Sequence, residues 1–198
     1  CEFWKTVLLP GSPAASHFTG FCNLCWSTRT TPDQWHASRV AMIFKKGDPA
    51  SCGNYRPVSL LCIAYKVFAK VMLERLRTAG AEDRIWRTQF GFRSKRGTVD
   101  ALFIARRELE RANIQKDGKS ILLALDWAKA FDSVAPSALA SALLRFGVPR
   151  HFVEMVQAIY SDRGFMAKDT GMSSPWHRQQ CGISQGCPLS PFLFVILM

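Results

Sequence analysis

The six residues Ser120-Ile121-Leu122-Leu123-Ala124-Leu125 constrain the fold more than any other stretch of the chain. The run is too short for a globular helix and too apolar for a surface loop, so it reads as a strand buried on both faces. Asp126 then stands at the mouth of that strand, with an aromatic, Phe131, five residues later. Desolvating an unpaired carboxylate beside so much hydrocarbon costs several kcal/mol unless a cation or hydrogen-bond donors compensate it. A divalent metal ion is the simplest compensation.

The rest of the chain can bury such a strand. It has 198 residues, 48% of them hydrophobic, which is ample for one large domain or two small ones. Its net charge is +11, which favours a polyanionic partner, nucleic acid or an acidic membrane surface, over a neutral one. Twelve Lys/Arg against six Asp/Glu fall between Lys66 and Arg111, so about half of the excess lies there. Seven unevenly spaced cysteines do not make a disulfide framework and fit a reducing compartment. Cys22-Asn23-Leu24-Cys25 has the spacing of half a zinc site, but no second pair follows, so these read as core or incidental thiols. The amino terminus shows no signal peptide, and the apolar run Phe192–Met198 is too short to span a membrane. Both ends suggest a piece of something longer.

Along the chain, residues 1–30 read as a poorly defined leader, a helix or loop leading into the domain. Arg39–Phe44 and Tyr55–Leu61 predict a hairpin around the turn-rich Lys45-Lys46-Gly47-Asp48-Pro49. Ile63, Ala64, Val67, Phe68, Val71 and Leu76 recur at helical spacing opposite Lys66, Lys70, Glu74 and Arg77. Further helices are expected over about 99–112, from Pro136 to Gly147, and over 150–160. A second hairpin is expected around Asp169-Thr170-Gly171. Strands alternate with helices, which makes the class mixed, α+β.

Five blocks then stand in order: Lys45-Lys46-Gly47-Asp48-Pro49; Asn54-Tyr55-Arg56-Pro57-Val58-Ser59-Leu60-Leu61; Gln89-Phe90-Gly91-Phe92-Arg93; Leu125-Asp126-Trp127-Ala128-Lys129-Ala130-Phe131-Asp132; and Gly182-Ile183-Ser184-Gln185-Gly186-Cys187-Pro188-Leu189-Ser190-Pro191. Together they resemble the successive blocks of non-LTR (LINE-like) retrotransposon reverse transcriptases, from about residue 32 to the carboxyl terminus. The resemblance implies a right-hand polymerase fold, with fingers over about 31–119 and a partial palm over about 120–198, ending before the later palm strands and the thumb. It also implies an RNA-directed DNA polymerase acting on an RNA template, a DNA primer and dNTPs; the reducing, nucleic-acid-facing profile of the chain points to the inside of the cell, nucleus or cytoplasm, with no membrane partner.

By the same resemblance, Asp126 and the backbone carbonyl of Trp127 match the positions that hold two Mg²⁺ ions for in-line phosphoryl transfer. Phe131 matches the aromatic that excludes a ribose 2′-OH by collision. Lys46 and Arg56 match residues that grip the triphosphate, although Lys45 could equally be the match. Gln185 and Gly186 match residues that pack against the nucleotide sugar and base. Gln89, Arg93, Lys95 and Arg96 match a block that follows the template, by stacking and phosphate contact. Asp132 does not match a metal ligand and reads as a cap or salt-bridge residue of the turn. The downstream Asp-Asp hairpin of the family is absent, so the chain alone is expected not to polymerise. A catalytically dead remnant that still binds nucleic acid, an RNA-dependent RNA polymerase and an unrelated basic scaffold remain as alternatives; Phe131 argues against the RNA polymerase.

Overall fold

The structure, a computed structural model, describes residues 9–169 and 171–198. Helices and strands are both present, as the mixed class requires, but the described elements fall in runs of like kind instead of the expected alternation. Helix α1 is Pro13–Thr28 and α2 the single turn Asp33–His36; β1 (Ala37–Phe44) and β2 (Tyr55–Leu60) form the first hairpin. Then come α3 (Ile63–Thr78), α4 (Thr98–Ile114), α5 (Pro136–Phe146) and α6 (Arg150–Tyr160). Strands β3 (Gly164–Asp169), β4 (Met172–Ser173) and β5 (His177–Arg178) precede the last helix, α7 (Ser190–Leu197).

The helix boundaries follow local chemistry. Pro136 opens α5, where a missing N–H costs nothing, and Gly147 closes it in a left-handed conformation at φ +89°. Val148 and Gly147 then donate to the carbonyls of Leu143 and Leu144, both at 2.9 Å. In α6 the buried residues Phe152, Val153, Met155, Val156, Ile159 and Tyr160 trace one face. The core is a helical cluster in which α3, α5, α6 and α7 bury Tyr65, Leu143, Met155 and Leu193 almost completely. Each such side chain contributes about 1.5–3 kcal/mol of burial.

Three sequence expectations change. On α3 the buried face is Tyr65, Phe68, Ala69, Met72, Leu73 and Leu76, whereas Ile63 and Val71 are exposed. The helix is rotated because the aromatic Tyr65 and the long Met72 fill the core better than the β-branched stripe. Lys70 and Glu74 face outward as expected and pair at 2.6 Å. Residues of the expected leader form α1, which packs on the core: Cys25 is buried, and Trp26 lies edge-on to Phe152 at 5.6 Å with Arg75 4.8 Å above its ring.

The third change concerns Ser120–Leu125, which is irregular and exposed, not a buried strand. Ile121 is 95% and Leu125 81% accessible. A strand needs a neighbour to receive its backbone N–H and C=O groups. The sheet runs β2-β1-β3-β4 with β5 also on β3, and none of these strands pairs with residues 120–125. Helix α4 likewise buries no residue, leaving Val99 and Phe103 exposed.

Two features of the sheet position the candidate site. The β1–β2 hairpin sets Met42 opposite Pro57, Val40 opposite Ser59 and Ile43 opposite Arg56. β1 also runs parallel to β3, Ala37 beside Gly164, which brings residues more than a hundred positions apart into one sheet. The second expected hairpin forms as β3–β4, Lys168 opposite Ser173, although Thr170 of its turn lies outside the described residues.

Candidate active site at the Gly182–Gly186 loop

The loop Gly182–Gly186, between β5 and α7, is clamped from two sides. Gly182 N–H donates to the Val134 carbonyl at 2.7 Å and Ile183 N–H to the Phe131 carbonyl at 2.9 Å, fastening it to the turn that follows Asp126. On the other side Ser59 N–H of β2 donates to the Gln185 carbonyl at 2.8 Å. Both glycines are required. A Cβ on Gly182 (φ +95°) would stand 3.0 Å from the Asp132 carbonyl oxygen, and one on Gly186 (φ +116°) 2.7 Å from that of Ser59.

The side chains continue the convergence. Gln185 Nε2 reaches Asp132 Oδ1 at 3.4 Å, a long contact. Asp132 therefore faces Gln185, and the expectation of a cap or ion pair is replaced: α5 has Ala135 at its cap position without a side-chain bond, and no ion pair involves Asp132 among the described residues. Phe131 stacks on Phe194 with centroids 5.1 Å apart and 15° between planes, and meets Phe92 edge-on at 6.3 Å. Blocks starting near residues 54, 89, 125 and 182 thus meet at one place.

A cavity of about 430 Å³ opens beside the loop, lined by Val40, Met42, Pro57, Ser59, Asp132 and Gln185 among others. Adjacent strand residues point to opposite faces. Since Pro57 lines the cavity, Arg56 lies on the hairpin's other face with Ile43, and both are exposed there. Lys46 is exposed at the hairpin tip. Behind the loop, burial holds the phenols of Tyr65 and Tyr160 above their ordinary range, with Cys187 adding to the rise in both.

The remaining sequence candidates lie apart from the cavity wall. Asp126 and Trp127 are exposed on the irregular segment. Gln89 Nε2 donates to the Gly91 carbonyl at 3.1 Å, and Lys95 and Arg96 face solvent. Arg93 is committed to its own loop: Nη1 donates to the carbonyls of Trp86 (2.9 Å) and Gln89 (3.4 Å), and Nη2 to that of Glu82 (3.0 Å).

A hard divalent cation takes six or more oxygens. Asp126 and the Trp127 carbonyl offer far fewer, and no group of three or more His, Cys, Asp or Glu forms a metal site among the described residues. The residues present do not fit a complete metal cage. No described helix is long and apolar enough to cross a membrane. Sequence reasoning passed over Ser59 as a loop anchor, because its part is played by a backbone N–H that no side-chain pattern marks.

Residues 43–198 match the family described as reverse transcriptase (RNA-dependent DNA polymerase). The chain is 31% identical over 84% of its length to the Pol polyprotein from type-2 retrotransposable element R2DM of Drosophila melanogaster, and 30% identical over 83% to the RNA-directed DNA polymerase from mobile element jockey of the same species. A Popillia japonica Pol polyprotein from type-1 retrotransposable element R2 is 28% identical over 82% of the chain. The chain spans 15%, 18% and 22% of those relatives' own lengths. The resemblance carried by the five blocks is borne out, and the match over residues 43–198 establishes that this chain belongs to the reverse transcriptase family.

Proposed function

We propose that the chain carries the nucleotide-facing part of an RNA-directed DNA polymerase from a non-LTR retroelement, working inside the cell on an RNA template and a DNA primer. The single observation that carries this reading is the meeting of four sequence blocks around Gly182–Gly186 through the Phe131 carbonyl, the Ser59 N–H and the Phe92–Phe131–Phe194 ring contacts. Residues about 31–119 serve as fingers and about 120–198 as part of the palm. Lys46, exposed at the hairpin tip, grips the triphosphate, whereas Arg56, on the hairpin face turned from the cavity, does not share the pocket of Gln185. Phe131, held by Phe194, bars a ribose 2′-OH, because a stacked ring has little freedom to withdraw. Gln185 and Gly186 support sugar and base. Gln89, Lys95 and Arg96 follow the template, while Arg93 shapes the loop that carries them. Asp126, with the Trp127 carbonyl, offers part of a Mg²⁺ site that needs further oxygen donors.

The net charge of +11 favours a second reading, a remnant that binds nucleic acid without polymerising. Primer extension on poly(rA)/oligo(dT) with dTTP and Mg²⁺ separates the two, using this chain and the full reading frame that contains it, each with Asp126→Ala. Incorporation by the full frame that is lost on Asp126→Ala supports the polymerase. Incorporation untouched by Asp126→Ala refutes the site, and none at all with RNA binding intact leaves the remnant.

A further inference from the structure

Ser184, Cys187 and Ser190 recur at three-residue spacing around the segment that carries Gln185, and each meets a buried polar side chain. Tyr65 Oη lies 3.1 Å from Cys187 Sγ, Tyr160 Oη lies 2.8 Å from Ser190 Oγ, and Arg163 Nη2 donates to Ser184 Oγ. Arg163 is the unusual member. It is 2% exposed, with its guanidinium carbon 5.3 Å from the centroid of the Tyr160 ring. Its backbone carbonyl accepts from Gln179 N–H at 2.7 Å. Among the described residues, its Nε and Nη1 have no hydrogen-bond partner and no carboxylate pairs with it.

An unpaired buried guanidinium is costly, and an apolar side chain of similar size would serve the core at least as well. What the cation does that an apolar group cannot is bond Ser184, next to Gln185, and keep a fixed positive charge behind the loop. We propose that Arg163 is a positioning residue of the nucleotide site: through Ser184 it holds the Gly182–Gly186 loop against Phe131 and Ser59, presents Gln185, and favours an anionic nucleotide there. The identity of the ligand rests on the polymerase reading above; the anchoring of the loop does not.

The test compares Arg163→Met, Arg163→Lys and Ser184→Ala with the unaltered chain by amide hydrogen exchange, urea unfolding and equilibrium dialysis of dTTP. In Arg163→Met the amides of Ser59, Gly182 and Ile183 exchange about tenfold to a hundredfold faster, the worth of a lost charge-assisted hydrogen bond. Its urea midpoint holds or rises, because the buried charge has gone. Its dTTP affinity falls, Arg163→Lys restores part of it, and Ser184→Ala loosens the same three amides. A midpoint that falls together with faster exchange across the whole core would make Arg163 an ordinary core residue. Unchanged exchange at the three amides would refute the anchoring. If the unaltered chain does not bind dTTP, the polymerase reading of the loop fails, while the exchange data still decide what Arg163 does.

Discussion

Replacing Gly186 by alanine tests the clamp between β2 and the loop most directly. The new Cβ would stand 2.7 Å from the Ser59 carbonyl oxygen, closer than carbon and oxygen approach without one of them moving. The obstacle is backbone held in register by β1, Val40 against Ser59, so no side-chain rotation relieves it. Holding alanine at φ +116° adds strain of its own. Backbone strain of about 1–3 kcal/mol, together with about 0.5–1.5 kcal/mol for the Ser59–Gln185 bond, gives a loss of about 1.5–4.5 kcal/mol. Against a native stability of about 5–15 kcal/mol the variant stays folded but is measurably weaker. Gly11→Ala is the control, because Gly11 also has positive φ, +82°, but nothing within 4 Å of its would-be Cβ. Urea unfolding followed by tryptophan fluorescence compares the two. A Gly186→Ala loss no larger than that of Gly11→Ala would refute the close approach.

Other perturbations read different parts of the molecule. Leu143→Ala, at a side chain with 0% exposure in the helical core, is expected to cost about 2–5 kcal/mol in the same urea assay. The double change Ile121→Ser and Leu123→Ser, at side chains 95% and 75% exposed, should leave the midpoint unchanged and lower light scattering at high concentration; a lost midpoint would show that the run is buried in solution. Asp126→Ala, on an exposed carboxylate, should change stability by less than about 0.5 kcal/mol, checked by urea unfolding. At alkaline pH, burial pushes the Cys22 thiol from 9.0 up to about 11 and also raises the Tyr65 and Tyr160 phenols. The unfolded chain therefore loses these protons first, so stability is full below the unfolded pKa values and falls as pH rises through the folded ones. Urea midpoints between about pH 8 and about pH 11 measure that fall, and Cys22→Ala should make it shallower.

Sequence by itself determined where α3 to α6 lie. Pro136 and Gly147 bracket α5, and the spacing of Phe152, Val156 and Ile159 shows the buried side of α6, because helical bonds join residues four apart and caps act within one turn. It also carried the family, because the five blocks are read in order along the chain. Tertiary structure alone decided where those blocks meet. Ser120–Leu125 looked like a strand from its composition, yet a strand exists only beside a partner, and no strand of this sheet pairs with it. Arg56 and Pro57 are neighbours in sequence but serve opposite faces of the hairpin, and only the β1–β2 register says which face holds the cavity. Ser59, Asp132 and Arg163 entered the site through contacts 126, 53 and 21 residues away in sequence. Bonds of that span depend on how whole elements dock, and no local pattern of side chains records them.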